Sequence, residues 1–204
     1  MPNLTDLAGL ASVASAAAAL VLQLPGIARL GKPHQAILLA AVFVLMLIPF
    51  GEIPLAAYAR GVTGDLSLTT LVLLWCAILR PWFGCVAVEA KHRYALLIMI
   101  ALAAIALYPM ALGVVGAYDP YRLGYGNPQF IVVLLLLSLA AWFRKSSLIA
   151  LCIALATLAW AVGWYESGNL WDYLLDPFIA IYALAVITIC GVKALFKLQR
   201  DSLC

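Results

Sequence analysis

Charged residues are scarce in this chain. Of its 204 residues, 10% are charged and 67% are hydrophobic, with 12 Lys and Arg against 9 Asp and Glu. Soluble globular domains carry about 25% charged residues. The composition therefore excludes a soluble globular protein and indicates an integral membrane protein.

Residues that ligate metals or haem are few as well. The two histidines, His34 and His92, lie near basic residues, where a solvated side chain is a simpler interpretation than haem ligation. No CxxC pair occurs, and the cysteines fall within apolar segments or near the basic segment ends, so no disulfide framework is expected. The five are Cys76, Cys85, Cys152, Cys190 and Cys204. We therefore expect no cofactor and no metal site.

Catalytic signatures are also missing. The sequence contains no HExxH, GxSxG, Walker or GxGxxG motif. Its apolar segments hold almost no ionisable group near their midpoints, which disfavours an ion-coupled transporter, because such transporters place charges inside the membrane. Lys193 lies near the end of the last segment, where its side chain can reach the interface. The basic residues are scattered along the chain, so no nucleic-acid partner is expected.

What the sequence does contain is a series of apolar segments. Crossing about 30 Å of hydrocarbon takes roughly 20 helical residues, and about seven stretches approach that length. We predict one polytopic domain, residues 1–204, folded as a compact all-α bundle of about seven transmembrane helices with short loops. The segments are Leu7–Leu24, Gln35–Phe50, Leu66–Leu79, Tyr94–Leu112, Phe130–Phe143, Leu148–Tyr165 and Phe178–Phe196. Because two of them are short and Pro49 with Gly51 can turn the chain back, six crossings plus a re-entrant segment is the alternative.

The charges at the segment ends predict an orientation. Ten of the twelve Lys and Arg residues lie on one side, which the positive-inside rule makes cytoplasmic. They are Arg29, Lys32, Arg80, Lys91, Arg93, Arg144, Lys145, Lys193, Lys197 and Arg200. The other side holds seven of the nine acids and only Arg60 and Arg122 as cations. An N-out, C-in bundle fits this pattern, and the short loops and lack of a targeting signal favour a prokaryotic inner membrane.

Several polar residues of the predicted outer side have a structural explanation. Asp176 and Asn127 each precede a proline at the start of an apolar segment, which predicts two helix N-caps. We expect Asp65 to cap the third segment, and Asp6 or Thr5 to cap the first. Aromatic residues cluster near the same boundary and predict an interfacial belt. They are Tyr108, Tyr118, Tyr121, Tyr125, Trp164, Tyr165, Trp171 and Tyr173.

Six charged residues of the outer side have no such explanation, and they form the candidate site. They are Glu52, Arg60, Asp119, Arg122, Glu166 and Asp172. If residues 52–60 form a short helix, Glu52 and Arg60 point the same way. The sequence Asp119-Pro-Tyr-Arg122 predicts a turn that brings Arg122 back towards the Asp119 carboxylate. A sharper hypothesis has Arg60 and Arg122 converge on an anion such as a lipid phosphate.

Three functions are compatible with these features. The first is a non-catalytic integral subunit or accessory protein of a cell-envelope enzyme or assembly, bound to another membrane protein or to copies of itself. The second is a small envelope enzyme that acts at the outer leaflet on a lipid-linked or phosphorylated substrate. It would use Glu52 or Asp119 as acid or base and Arg60 with Arg122 as an anion clamp. The third is a channel or facilitator for a small solute or lipid. Membrane lipids are partners in all three, and the sequence does not decide whether the protein is an enzyme.

Overall fold

The fold of the chain is all-α, as the sequence predicts. The computed structural model describes residues 4–80, 82–83, 89–116 and 118–201, and this part of the chain is mostly helical. The helices are α1 (Leu4–Leu22), α2 (Lys32–Leu47), α3 (Leu55–Thr63), α4 (Leu68–Leu79), α5 (Ala90–Ala111), α6 (Pro128–Phe143), α7 (Ser147–Ala161), α8 (Leu170–Leu174) and α9 (Pro177–Asp201). Two short 3-10 helices, Ile27–Arg29 and Pro120–Gly124, and one β-hairpin lie between them.

Three of these helices are long and apolar enough to cross a membrane. Their apolar stretches are Thr5–Leu22 in α1, Ala90–Ala111 in α5 and Pro177–Phe196 in α9, and they indicate a membrane protein. Four shorter apolar helices, α2, α4, α6 and α7, coincide with the other predicted segments. At 1.5 Å per residue, the 12 residues of α4 span about 18 Å, which is less than the hydrocarbon thickness. The number of crossings therefore stays a prediction.

A β-hairpin forms where the sequence predicts the end of the segment Gln35–Phe50 and the start of a helix over 52–60. Strand β1 (Pro49–Phe50) pairs antiparallel with β2 (Ile53–Pro54), with Phe50 opposite Ile53. Gly51 has a φ of 81°, a conformation that glycine adopts without strain, and with Glu52 it forms the turn. The expected helix over 52–60 is therefore wrong in its first three residues: Glu52 lies in the turn, and α3 begins after Pro54, its N-cap.

Two of the predicted helix caps are confirmed. The Asn127 side chain accepts hydrogen bonds from the backbone N–H groups of Gln129 and Phe130 at the start of α6. The Asp176 carboxylate accepts from the N–H of Ile179 at the start of α9, at 2.9 Å. In both, proline occupies the first turn, where no backbone donor is needed.

Asp65 does not cap α4 as predicted, and Asp6 does not occupy the position of the N-cap of α1. Ser67 caps α4 by accepting a hydrogen bond from the N–H of Thr70, because it stands immediately before the helix while Asp65 lies two residues further away. Asp6 lies inside the first turn of α1 rather than ahead of it. Both carboxylates are therefore available for contacts with other helices.

The core lies along α5, which packs against α7 and α9, and α6 and α8 pack around α7. Leu97, Cys152, Ala156 and Ala183 are each no more than 2% exposed there. Helix α1 packs against α2, α3 and α4 through small side chains such as Ala14. Only 17% of the residues in the apolar window of α9 are buried, so much of its apolar surface faces outward. Such a surface is compatible with lipid contact.

Candidate functional site

Arg60 of α3 is the centre of a cluster of carboxylates. Its Nε and Nη2 donate to the two oxygens of Asp65 at 2.6 and 3.0 Å, a bidentate pair. Its Nη1 lies 3.2 Å from Oδ1 of Asp6, and its Nη2 lies 3.8 Å from Oε1 of Glu166. The Arg60 side chain is only 17% exposed. These contacts tie α1, α3 and the loops before α4 and after α7 to one cation.

Gly9 of α1 gives Arg60 room to lie against the helix. A Cβ atom at this position would contact Arg60 Nε and would stand 2.5 Å from Oδ1 of Asp65, closer than carbon and oxygen approach without a bond. The ion pair therefore depends on the absence of a side chain in α1. In the sequence, Gly9 is one of several small residues, and nothing marks it as the neighbour of an arginine.

The Arg60 cluster disfavours the anion clamp as a binding site. Hydrogen bonding to Asp65 is the largest cause that raises the pKa of Arg60 further, so it stays charged at every physiological pH. Most of its donors are directed at carboxylates, which an incoming phosphate would have to replace. Arg122 lies in the last turn of the 3-10 helix, and it takes part in no ion pair among the described residues. Convergence of Arg60 and Arg122 on an anion therefore stays a prediction without a contact to support it.

Asp176 joins two helix N-termini in the interior. The residue is 4% exposed, and its Oδ2 accepts hydrogen bonds from the Ser67 N–H at 2.9 Å, the Ser67 hydroxyl at 2.7 Å and the Thr70 hydroxyl at 2.5 Å. Its Oδ1 accepts from Ile179 in α9. One carboxylate thus satisfies donors at the start of both α4 and α9. The sequence predicts the contact within α9, whereas the contact with Ser67 joins residues that are 109 positions apart.

Asp172 joins two loops through neutral partners. The hydroxyl of Tyr121 donates to both of its oxygens, each at 2.9 Å, and the Ser167 hydroxyl donates to Oδ2 at 2.5 Å. Burial raises the pKa of Tyr121, and the hydrogen bond to Asp172 raises it further. Tyr121 therefore stays protonated and acts as a donor. No ion pair of the described residues includes Asp172.

The same two loops interlock beside Gly124. The Asn169 side chain donates to the carbonyl of Tyr121 at 2.9 Å, and the Trp171 indole donates to the carbonyl of Pro120 at 3.1 Å. A Cβ atom on Gly124 would overlap Asn169 Oδ1 and lie 2.6 Å from its Cγ. Asn169 is fully buried, so it has little space to move away. Gly124 is required by this close approach.

Two tyrosines assigned to an interfacial belt are buried instead. Tyr173 is fully buried, and its hydroxyl lies 3.0 Å from the carbonyl of Ser167 and 3.0 Å from the N–H of Tyr165. The Tyr165 hydroxyl lies 3.1 Å from the hydroxyl of Ser12 in α1, and Tyr165 is 3% exposed. The belt prediction is wrong for these two residues. A ring at a helix end can face lipid or the protein, and residue type does not distinguish these cases.

The six residues of the candidate site are therefore divided between separate contacts. Arg60 and Glu166 form an ion pair, and Asp172 joins Tyr121 and Ser167. Asp119 accepts from the N–H of Tyr121 at 3.0 Å, which closes the expected turn, but no ion pair with Arg122 forms among the described residues. Glu52 is exposed in the hairpin turn. We call the region that contains Asp6, Arg60, Asp65, Glu166, Asp172 and Asp176 the acidic end.

A cavity opens at the acidic end. Its volume is about 230 Å³, and its wall includes aromatic side chains and carboxylates. The polar or aromatic lining residues are Asp65, Tyr108, Tyr121, Trp171, Asp172 and Asp176. Leu107 and Leu175 contribute apolar surface. The cavity thus joins the Arg60 cluster, the Asp172 contacts and the Asp176 contacts in one space.

The described part of the chain holds no group of three His, Cys, Asp or Glu side chains arranged to bind a metal ion. Cys76, Cys152 and Cys190 are free thiols, while Cys85 and Cys204 lie outside the described residues. No family model, curated protein or solved structure matches this chain.

Proposed function

We propose that this protein is a non-catalytic integral membrane subunit or accessory protein of a cell-envelope enzyme or assembly. The observation that carries the proposal is the use of the polar groups at the acidic end. The side chains of Arg60 and Asp176 form their hydrogen bonds with other helices and loops of the same chain. A general acid or base must instead reach an atom of the substrate. These groups are better suited to hold the bundle together than to perform chemistry.

The residues left over do not assemble a catalytic pair. Glu52 lies in the hairpin turn, and the Asp119 carboxylate closes a turn of its own backbone. No side-chain hydrogen bond or ion pair joins Glu52, Asp119 or Arg122 to one another within the described ranges. An enzyme with an anion clamp would need them around one cleft. The absence of such contacts among the described residues favours the subunit over the enzyme.

The proposal includes seven crossings, with the N terminus outside and the C terminus in the cytoplasm of a prokaryotic inner membrane. Alternation of basic residues between the apolar helices supports this orientation. Helices shorter than the hydrocarbon thickness are accommodated by thinning of the bilayer or by contact with other helices. A second membrane protein that covers the short helices would lower this mismatch. The exposed apolar residues Leu135, Leu136 and Ile181 offer such a partner a surface.

The experiment is extraction of the tagged protein in a gentle detergent, followed by identification and quantification of what copurifies. A stoichiometric integral membrane protein is the expected result. Two charge reversals, Glu52→Arg and Arg122→Glu, test whether the loops of the predicted outer side contribute to the interface. Both residues are exposed, so neither change should unfold the protein. Arg144→Gln, an exposed change in the turn after α6, is the matched control.

The outcomes separate the proposed functions. Loss of the partner in Glu52→Arg or Arg122→Glu, with retention in Arg144→Gln, assigns the interface to the predicted outer loops. Retention in all three variants assigns it to the apolar helix faces. Alternatively, the chain purifies without a protein partner but with a phosphorylated lipid that Arg122→Glu fails to retain. That result refutes the proposed subunit function and favours a site for a lipid substrate.

A further inference from the structure

We propose that the cavity at the acidic end binds an organic ammonium group, either a free small amine or the headgroup of a lipid. The inference is independent of the proposed subunit function, because it rests on the walls of the cavity and on the charges around it. Three aromatic residues, Tyr108, Tyr121 and Trp171, line the cavity together with the carboxylate of Asp172. Aromatic rings beside a carboxylate are the surroundings in which proteins hold alkylated ammonium ions.

The electrostatic balance of the acidic end favours a cation in the cavity. Among the described residues, the one guanidinium of Arg60 forms ion pairs with both Asp65 and Glu166. Asp176 is compensated in another way, because the N-termini of α4 and α9 carry partial positive charge and direct N–H groups at it. Asp172 lies in the first turn of α8, a helix of only five residues, and its side-chain partners are the neutral hydroxyls of Tyr121 and Ser167, so no cation of the described residues pairs with it. The negative charge of Asp172 is therefore left for a ligand.

The Asp172 carboxylate can also accept a further hydrogen bond. A carboxylate offers about four acceptor positions, and from the described residues Oδ1 receives one side-chain hydrogen bond, from Tyr121. An ammonium N–H can therefore bond Oδ1 without displacing Ser167 from Oδ2. A ligand without an N–H, such as a quaternary ammonium, would interact through charge and through the rings.

The size and chemistry of the cavity select an organic cation over a metal ion. Its volume of about 230 Å³ is several times the roughly 30 Å³ that one water molecule occupies. Metal ions need several ligand atoms within about 2–2.6 Å, and the described residues contain no such group of side chains. The apolar contribution of Leu107 and Leu175 suits the alkyl carbons of an amine. An ammonium group that carries alkyl carbons therefore suits this mixture of aromatic, apolar and acidic side chains.

Tyr108 allows the aromatic contribution to be tested without breaking a hydrogen bond. Its hydroxyl makes no hydrogen bond to the described residues, whereas Tyr121 and Trp171 both hold loops together. Tyr108→Leu removes the ring and keeps an apolar side chain. Tyr108→Phe keeps the ring and removes only the hydroxyl. The two changes separate the role of the ring from that of the hydroxyl.

The experiment is a titration of the purified protein in detergent with choline, followed by tryptophan fluorescence and by calorimetry. The uncharged isostere of choline, in which carbon replaces nitrogen, is the control ligand. We expect saturable binding of choline, with a dissociation constant on the order of 1 mM, and none of the isostere. Asp172→Asn and Tyr108→Leu should each weaken binding on the order of tenfold, while Tyr108→Phe and the exposed-acid control Glu52→Gln should bind as the unchanged protein does.

A second arm distinguishes the source of the ammonium group. Detergent micelles doped with short-chain phosphatidylcholine or phosphatidylethanolamine are compared with micelles doped with phosphatidylglycerol. Binding of the ammonium lipids, lost in Tyr108→Leu, with no binding of choline assigns the cavity to a lipid headgroup. If neither choline nor the ammonium lipids bind saturably, or if Tyr108→Leu and Asp172→Asn bind as well as Glu52→Gln, the proposal is wrong. Should Asp172→Asn fail to fold, Tyr108→Leu against Tyr108→Phe still decides it.

Discussion

Removal of the Asp176 carboxylate should destabilise the bundle more than removal of any exposed acid. Asp176→Ala leaves three donors at the start of α4 without their acceptor, the Ser67 N–H and the hydroxyls of Ser67 and Thr70, and it removes the cap of α9 at Ile179. A buried donor without a partner costs about 1–3 kcal/mol, and a lost N-cap about 1 kcal/mol. Because the two hydroxyls can rotate towards each other, we expect a total of about 3–5 kcal/mol.

The assay is equilibrium unfolding in mixed detergent micelles, followed by tryptophan fluorescence. Asp119→Ala is the matched control, because Asp119 is half-buried and accepts a single hydrogen bond, from the Tyr121 N–H, so its loss should cost about 1 kcal/mol. A double-mutant cycle of Asp176→Ala with Ser67→Ala should show a coupling of about 1–3 kcal/mol, since the residues touch directly. Equal destabilisation by Asp176→Ala and Asp119→Ala, or additive effects in the cycle, would refute the reasoning.

Further predictions concern the glycines, one strained turn and the orientation. Gly9→Ala should displace Arg60 and lower stability by about 1–3 kcal/mol in the same assay, and no loss would contradict the close contact. Gly124→Ala should destabilise by a similar amount through its overlap with Asn169, whereas Gly61→Ala, in open space, should not. Lys145 has a φ of 58°, so Lys145→Gly should be neutral or stabilising by up to about 1 kcal/mol, and a clear loss would argue against this backbone. A cysteine at Glu52 should react with an impermeant maleimide in intact cells and one at Lys145 only after permeabilisation; the reverse pattern would invert the proposed orientation.

The helices could be predicted from sequence because their signals are local. Continuous apolar stretches of more than a dozen residues read as helices, since a lipid environment requires the backbone to satisfy its own hydrogen bonds. Asn127-Pro128 and Asp176-Pro177 mark helix starts for reasons contained in adjacent residues. The hairpin at Pro49–Pro54 was harder to predict. Pro49 and Gly51 indicate a turn, but they do not distinguish a re-entrant segment from two short strands.

Most contacts of the acidic end could not be predicted, because they join distant parts of the chain. Asp6 and Arg60 are 54 residues apart, and Ser67 and Asp176 are 109 residues apart. Which helices are neighbours decides such pairs, and no periodicity encodes it. Sequence reasoning set Asp65 aside as a cap, and for that reason it missed the carboxylate that holds Arg60 most closely. It placed Arg60, Glu166 and Asp172 in the candidate site but could not say what they contact. Arg60 binds Asp65 and Asp172 accepts from Ser167, each five residues away in the sequence.

The central claim is that the protein acts as a subunit, bound to a different membrane protein. Native mass spectrometry of the complex, released from gently extracted membranes, measures this most directly. The account predicts a species in which the 21.9 kDa chain is joined to a second polypeptide in a fixed ratio. A mass equal to the chain alone, or to a multiple of it, with no second polypeptide under any gentle extraction, would contradict the account.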